Sequence, residues 1–446
     1  MVWLTTDVLL WGLCVLTSLW LFQALRQPQW RRALAELLCQ PLAVSALMVL
    51  GVYVFIGLID SLHFNAQGQI VSQLDRWLSP AGEIHEVTYS EPFAKNLFTK
   101  TLQINSEGHP IFDYQPLQHV AGTSRWLENL FELTVESIAF AVFVITVLTV
   151  SSMLIVRISQ QIQFKIVAKQ LFLGKTQFAW RSALLMLFIL LSVLFFLRGC
   201  LGHYHILGTD QIGHDVFYAA TKSIRTGLII GILTTLVMLP FALFFGTMAG
   251  YFGGFIDDLI QYLYTTLSSI PAVLLIAASV LSIQVYISNH QELFSTMESR
   301  ADARLLALCI ILGITSWTNL CRVLRAETMK LRELDYIQAA KALGVGWFTI
   351  IRRHIVPNTM HLVLIAVALD FSMLVLAEAV LTYVGIGVDP TTYSWGNMIN
   401  VARLELAREP VVWWPLVSAF GMMFLFVLSA NIVADRLRVA LDPRQR

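Results

Sequence analysis

The sequence predicts an all-α integral membrane protein with about nine transmembrane helices. Of its 446 residues, 57% are hydrophobic and only 13% are charged, whereas about 25% of the residues are charged in a typical soluble domain. The apolar residues fall into long stretches, and about 20 consecutive apolar residues suffice for a helix to cross a bilayer. These observations exclude an ordinary water-soluble protein, and a formal net charge of +1 gives no sign of a nucleic-acid partner.

Nine stretches are long and apolar enough to be predicted spans. The stretch nearest the N-terminus is preceded by no Lys or Arg, unlike a cleavable signal peptide, so we expect it to be retained. The predicted spans are 7–25, 41–60, 134–156, 182–198, 224–250, 260–285, 303–321, 359–383 and 411–433.

The Lys and Arg residues predict how these spans are oriented, because short cytoplasmic loops are enriched in positive charge. The connections 26–40, 157–181 and 322–358 are basic and are predicted to be cytoplasmic. The segment 61–133 has eight acidic residues against four basic ones and is predicted to lie outside. The result is a multi-pass protein with its N-terminus outside and its C-terminus in the cytoplasm.

The span 224–250 carries signals for helix packing. Gly227 with Gly231, and Gly246 with Gly250, place small residues one turn apart, which allows close contact with another helix. Pro240 lies in the middle of the span and is expected to kink it.

No catalytic constellation is visible in the sequence. The five cysteines form no Cys-x-x-Cys pair, and neither a nucleophile motif, a zinc-binding helix nor a complete phosphate-binding loop occurs. We therefore predict a chain that is not an enzyme, with no catalytic residue, no metal site and no bound cofactor. His203, His205 and His214 precede the span 224–250 and could bind a transition metal, although solvated histidines are the simpler interpretation.

The segment 334–358 predicts two short helices on the cytoplasmic side. The first runs from Asp335 as N-cap to Leu343, Gly344 and Gly346 end it, and the second runs to Pro357. Small alanines surrounded by aromatic side chains suit insertion into a groove of another protein. A helix lying on lipid headgroups fits the same pattern.

An EAA-like loop and five further ordered segments carry a family resemblance. Gln338-Ala339-Ala340 followed by Gly344, Ile355 and Pro357 resembles the EAA loop of ATP-binding-cassette (ABC) importer permeases. Five further segments resemble the dipeptide/oligopeptide/nickel permease family, on the side of its second permease subunit. They are Leu207 to Val216, with Gly208, Thr209, Asp210, Gly213 and Asp215 as the outer-loop residues, Tyr251 to Asp257, Glu378 to Gly387, Ser394 to Gly396, and Ala440 to Arg444.

The resemblance implies a type I ABC importer permease core of six helices over 176–446, with its coupling loop at 334–358. The extension 1–175 adds three helices and the external segment 61–133, which we expect either to contact a binding protein or partner permease or to be an appendage without a role in transport. The chain departs from the family pattern at Gln338 (usually Glu) and His214 (usually Arg), and at Tyr262 and Thr265, where the family tends to carry Arg and Asp.

The implied function is that of the membrane-spanning permease subunit of an ATP-driven importer for short peptides in the bacterial cytoplasmic (inner) membrane. The implied partners are a second homologous permease subunit, two cytoplasmic ATP-binding subunits that hold ATP and Mg, an extracytoplasmic solute-binding protein and membrane lipid. Nickel or metal-chelate uptake, and polyamine or cationic peptide transport, are alternatives within this architecture. An ion-driven secondary transporter is an alternative from another class, but no inverted repeat is evident. The predicted ATPase-coupling residues are Tyr336, Gln338, Ala339, Ala340, Gly344, Ile355 and Pro357.

Asp370 and Glu378 lie in the predicted span 359–383 and are candidates for the translocation path, because carboxylates are unfavourable in lipid and usually line a protein-enclosed path. Glu378 matches the family pattern, and a structural hydrogen bond beside the turn 385–387 is an equal alternative. Asp370 does not match it, and we hypothesise that it attracts a cationic group such as a peptide amino terminus.

Overall fold

The computed structural model describes residues 4–24, 26, 28–66, 69–79, 85–104, 110–117, 126–160, 178–290, 292, 294 and 296–441. By packing, the chain divides into two compact units. The first contains Gln23–Ile224 and Val401–Ile432, and the second contains Trp3–Phe22, Arg225–Asn400 and Val433–Arg446. The resemblance predicts a boundary between residues 175 and 176, which separates the N-terminal extension from the permease core. This boundary stays a prediction.

The described residues of the N-terminal half form six helices and two small antiparallel hairpins. The hairpins lie in the predicted external segment and were not part of the all-α prediction. The helices are α1 (Thr5–Ala24), α2 (Pro28–Cys39), α3 (Pro41–Asp60), α4 (Gln73–Trp77), α5 (Trp126–Gln160) and α6 (Trp180–Cys200). In the hairpins, β1 (His63–Ala66) pairs with β2 (Gln69–Ser72), and β3 (Asn96–Ile104) pairs with β4 (Pro110–Pro116).

From Val216 onward, the described residues form helices joined by turns and short irregular segments. One short bridge, between Thr209 and Asp215, comes just before them. A wide π-type turn, Ile351–Ile355, lies between the helices Trp347–Ile350 and Val356–Tyr383. The helices are α7 (Val216–Phe252), α8 (Gly254–Ser269), α9 (Ala272–Asn289), α10 (Met297–Arg332), α11 (Asp335–Ala342), α12 (Trp347–Ile350), α13 (Val356–Tyr383), α14 (Trp395–Glu405) and α15 (Trp414–Leu441).

Among the described residues, eight helical segments are long and apolar enough to cross a membrane. They are Pro41–Asp60, Asn129–Ser151, Trp180–Cys200, Val216–Phe252, Ala272–Asn289, Met297–Arg332, Trp347–Tyr383 and Trp414–Ala440. The integral membrane class is therefore confirmed. The remaining predicted span, 7–25, corresponds to α1, whose apolar stretch Thr5–Leu19 is shorter than these eight.

The prediction of one continuous span over 260–285 was wrong. The helix α8 ends at Ser269 and α9 begins at Ala272, with Ile270 in an extended conformation at φ −84° and ψ 130°. Pro271 explains the break, because its ring disfavours helical backbone at the residue before it.

The paired glycines of α7 lie at close helix contacts in the second unit, as predicted. A Cβ at Gly246 would lie 2.9 Å from the carbonyl oxygen of Cys321, and one at Gly250 would lie 2.6 Å from that of Arg325. Both partners belong to α10, so only glycine allows this separation between the two backbones. The apolar core around this contact joins α7, α8, α10 and α13, with Met238, Tyr264, Trp317, Leu320 and Val363 among its buried residues.

Candidate functional site: the coupling loop and the 207–216 loop

The loop 334–358 is predicted to couple the chain to ATP-binding subunits and is called the coupling loop below. Its first helix, α11, is close to its predicted position. Leu334 is its N-cap and has extended backbone, and no side chain caps the helix, so the prediction of Asp335 as N-cap was wrong by one residue. Asp335 lies in the first turn instead, where its negative charge is favourable near the helix N-terminus. Gly344 ends the helix at φ +78°, and its N–H donates to the carbonyl of Lys341. This left-handed conformation favours glycine.

The second predicted helix does not end at Pro357. The helix α12 passes through the π-type turn directly into the span α13, with Pro357 in the first turn of α13. The N–H of Val356 donates to the carbonyl of Ile351, five residues back. A π-type turn widens the helix, which accommodates the proline ring and its missing N–H donor. The coupling segment is thus continuous with a membrane span rather than separated from it.

A small apolar core lies beneath the coupling helices in the second unit. Ile337, Ile350 and Ile355 are completely buried and pack with Ile351 and with Tyr251 at the end of α7. Ile355, one of the predicted coupling residues, is therefore a core residue of the loop. This core fixes α11, α12 and the start of α13 to one another.

The motif Tyr251 to Asp257 supports the coupling loop through several contacts. The ammonium of Lys341 lies 4.8 Å from the centre of the Tyr251 ring, and the Phe252 and Trp347 rings meet edge to face at 5.5 Å. The guanidinium of Arg325 donates to both carboxylate oxygens of Asp257, at 2.5 and 2.7 Å. This pairing holds the pKa of Asp257 below its ordinary value.

Gln338 has a role that the usual glutamate could not fill. Its side-chain Nε2 donates a 2.9 Å hydrogen bond to the carbonyl of Arg332, at the end of α10. An ionised carboxylate only accepts hydrogen bonds, so Glu at this position would lose the bond. The departure from the family pattern therefore has a local structural reason.

The coupling loop also exposes several large apolar side chains, which together we call the coupling surface. Leu343 is 83% exposed and Phe348 is 60% exposed, although both are large and apolar. Gly344 lies among them, with open space where a Cβ would stand. Its members are Leu334, Tyr336, Leu343, Val345, Trp347 and Phe348.

The predicted outer-loop residues form a tight turn in the first unit. Thr209 and Asp215 pair as a short antiparallel bridge, and the Asp210 carboxylate accepts from the N–H groups of Ile212 and His214. Gly213, at φ +76°, packs so closely that a Cβ would lie 1.8 Å from the carbonyl oxygen of Glu86. Gly208 is also left-handed at φ +73°, so the two glycines have a backbone reason to be there.

The partner of this turn is the segment 85–93, which sequence reasoning did not connect to it. The N–H of Glu86 donates to the carbonyl of Gly213. The N–H of Thr209 donates to the carbonyl of Ser90, and the N–H of Phe93 donates to the carbonyl of His205. The indole of Trp414, at the start of α15, donates to the carbonyl of Thr209. No motif marks the segment 85–93, so the sequence held no signal for this contact.

The three histidines do not converge on one point. His205 is buried, with Nδ1 2.8 Å from the Asp215 carboxylate. His214 lies against the ring of His85 at 4.5 Å, and His203 lines a separate cavity of about 300 Å³ with Glu132 and others. Among the described residues, no group of three or more His, Cys, Asp or Glu side chains is arranged to hold a metal ion.

The two membrane carboxylates have different surroundings in the second unit. Glu378 is buried, and its Oε1 accepts a 2.7 Å hydrogen bond from the hydroxyl of Thr382. Thr382 also packs against Gly387 and Gly396, so Glu378 belongs to the packed turn after α13. Asp370 is half-buried, and within the described part of the chain no side chain hydrogen-bonds to it or pairs with it.

Comparison with known proteins identifies the family. Residues 242–446 match the family described as "Binding-protein-dependent transport system inner membrane component". The glutathione transport system permease protein GsiD of Pectobacterium atrosepticum is 30% identical over 241 residues, which cover 54% of this chain and 73% of that protein. The chain belongs to this permease family.

Other relatives are permeases named for peptide transport. The oligopeptide transport system permease protein OppC of Mycobacterium tuberculosis is 29% identical over 245 residues, 55% of this chain and 78% of the relative. The dipeptide transport system permease protein DppC of Bacillus subtilis is 27% identical over 242 residues, 54% of this chain and 69% of the relative. The resemblance to peptide ABC permeases is thus confirmed, and the chain is a multi-pass permease subunit of an ABC importer family whose membrane subunits are not catalytic.

Proposed function

We propose that this ABC permease subunit imports short peptides and is driven by cytoplasmic ATP-binding subunits that dock on the coupling surface. The observation that carries the proposal is the pairing of an exposed apolar surface with a completely buried isoleucine core in one loop. Exposed leucine, tryptophan and phenylalanine within a few residues of one another in a loop are typical of a protein interface. The relatives' names support peptides as the cargo.

The coupling mechanism follows from the continuity of the loop with two spans. The helix α11 follows two residues after α10 ends, and α12 continues through the π-type turn into α13. When two ATP-binding subunits close on ATP and Mg, a rigid loop docked on one of them would carry α10 and α13 along. Such a movement converts ATP binding into alternating access of the cargo path.

The remaining partners are a second homologous permease subunit, which would pair with this chain, and an extracytoplasmic solute-binding protein. With the N-terminus outside and the C-terminus in the cytoplasm, the coupling surface faces the ATP-binding subunits. The 207–216 loop then faces the side from which a binding protein delivers cargo. Nickel chelates or polyamines would use the same coupling machinery.

The coupling role is tested at Gly344. We expect Gly344→Leu to lower peptide uptake at least about tenfold while ATP hydrolysis by the assembled complex persists. The side chain would protrude into the docking surface, and the left-handed backbone opposes a residue other than glycine by about 1–2 kcal/mol. The measurement is the ratio of peptide transported to ATP hydrolysed in proteoliposomes.

Gly385→Leu is the matched control, because Gly385 has φ +87° and open space at its Cβ but lies at the other end of α13. It imposes the same type of backbone strain without altering the coupling surface. Normal uptake in Gly344→Leu, or equal uncoupling in both variants, would contradict the coupling role.

Uptake assays with glutathione, dipeptides, longer peptides and nickel chelates identify the cargo class.

A further inference from the structure

Two basic residues lie one turn apart on α7, the first long helix after the 207–216 loop. They are Lys222 and Arg225, whose side chains are only 15% and 13% exposed. Charged side chains in a membrane-spanning helix are unfavourable unless they are paired. In each case the pairing carboxylates come from the first 80 residues of the chain.

Arg225 pairs with the first turn of α1. Its Nε and Nη2 donate to Oδ1 of Asp7, at 3.1 and 2.7 Å, and Asp7 is completely buried. The hydroxyls of Thr5 and Thr6 donate to the carboxylate of Asp302 on α10, and the N–H of Thr6 donates to it at 3.2 Å. The first turn of α1 is thus fixed by polar contacts to both α7 and α10.

Lys222 pairs with the region that follows α3. Its Nζ lies 2.6 Å from Oδ1 of Asp75 on α4 and 3.9 Å from Oδ1 of Asp60, the last residue of α3. The Tyr218 hydroxyl donates to Asp75, and the Ser72 hydroxyl donates to Asp60, each at 2.7 Å. Each carboxylate therefore has a second polar partner that fixes its position.

We propose that the N-terminal extension is an intramolecular partner of α7, in which Asp7, Asp60 and Asp75 neutralise Lys222 and Arg225. The two bases are then structural countercharges and are not available to bind an anionic group of the cargo. The extension is a required part of the permease, because its removal would leave two positive charges of a membrane-spanning helix without their carboxylate partners. This inference does not depend on the identity of the cargo or on the coupling mechanism.

Double-mutant cycles on the full-length chain test the proposal. The first cycle combines Asp7→Asn with Arg225→Gln, and the second combines Lys222→Met with Asp60→Asn and Asp75→Asn together, because both carboxylates face Lys222. Neutralising one side of a pairing alone gives a single variant, and we expect it to lower the melting temperature of the purified chain in detergent by at least about 5 °C, because it leaves buried charge unpaired. Neutralising both sides gives the double variant, which has no unpaired charge and should recover more than half of the loss.

The matched control is the pair Glu327 and Lys330 on α10, in which the lysine is 71% exposed. Neutralising this pair should change the melting temperature by less than about 1 °C. If a single variant yields no folded protein, the amount of folded protein obtained from the double variant is measured instead of a melting temperature. Recovery of folded protein in the double variant then supports the proposal.

Four results would overturn the inference. Single variants could melt like the wild-type chain, or a double variant could lose the sum of both single losses or fail to recover folded yield. Finally, Arg225→Gln or Lys222→Met could weaken uptake of anionic peptides relative to neutral ones at an unchanged melting temperature, which would assign the bases to the cargo.

Discussion

A carboxylate in a membrane helix can stabilise the fold or face the cargo, and the surroundings of Asp370 and Glu378 separate these roles. Glu378 is buried and accepts a hydrogen bond from Thr382, which favours the structural alternative for this residue. Asp370 is half-buried on the same helix and shares no such contact with the described residues. The sequence could predict that both carboxylates matter, but only side-chain packing distinguishes them.

Asp370 remains the candidate for attracting a peptide amino terminus. We expect Asp370→Asn to raise the concentration for half-maximal uptake about tenfold for peptides with a free amino group, because one favourable charge interaction is lost. N-acetylated peptides should be unaffected. Uptake of both peptide types in proteoliposomes checks this expectation.

Glu378→Gln serves as the control for loss of a carboxylate on α13, since glutamine can still accept from Thr382. It should leave the preference between free and acetylated peptides unchanged. Identical uptake of all peptides by Asp370→Asn and the wild-type chain would dismiss the role of Asp370.

At the scale of elements, side-chain hydrogen bonds connect α11 to α13 in addition to the loop backbone. The side-chain amide of Asn358 donates to the Tyr336 hydroxyl at 3.0 Å and to the carbonyl of His354 at 2.7 Å. These bonds join the coupling helix, the π-type turn and the span α13. A wide turn in a helix is a point where it can bend, so the bonds would help the span follow the coupling helix.

Breaking this connection should lower coupling without abolishing it. We expect Asn358→Ala to reduce the peptide transported per ATP hydrolysed by several-fold, because it removes two hydrogen bonds of about 0.5–1.5 kcal/mol each. Tyr336→Phe removes one of them and should have a smaller effect. Coupling ratios in proteoliposomes measure both.

Tyr262→Phe provides the comparison for loss of a tyrosine hydroxyl, because Tyr262 is exposed on α8. Its coupling ratio should equal that of the wild-type chain. Unaltered coupling in Asn358→Ala would show that the backbone alone transmits the movement.

The elements that sequence predicted well are those set by local pattern. Apolar stretches predicted seven of the eight candidate spans among the described residues, and the glycine that ends α11 lies where expected, since both depend on neighbouring residues. The helix break at Pro271 was not predicted, because the residues on both sides of it are apolar and resemble one continuous span. Pro357 was wrongly treated as a stop, because the π-type turn that accommodates it has no sequence signal.

At the scale of the whole molecule, what sequence could not predict is pairing between distant segments. The contact of the segment 85–93 with the 207–216 loop, and the pairs that Asp7 and Asp75 make with α7, join residues more than 100 positions apart. Such pairs have neither periodicity nor a motif. They also give the near-neutral composition a structural meaning, because acids of the N-terminal extension neutralise bases of α7.

The orientation of the chain in the membrane is the remaining prediction. It depends on the basic connections 26–40, 157–181 and 322–358 being retained in the cytoplasm. Two exposed positions report on opposite sides: Phe112 on β4 and Arg352 in the π-type turn. Each is replaced by cysteine in a chain whose five native cysteines have been removed.

We expect a membrane-impermeant maleimide to label Phe112→Cys on intact cells and to label Arg352→Cys only after permeabilisation. The physical reason is that translocating a loop with seven basic residues is opposed, whereas the acidic segment 61–133 crosses more readily. The reverse labelling pattern would place the coupling surface outside the cell, away from ATP. It would then contradict both the orientation and the coupling role, whereas the ion pairs of α7 would be unaffected.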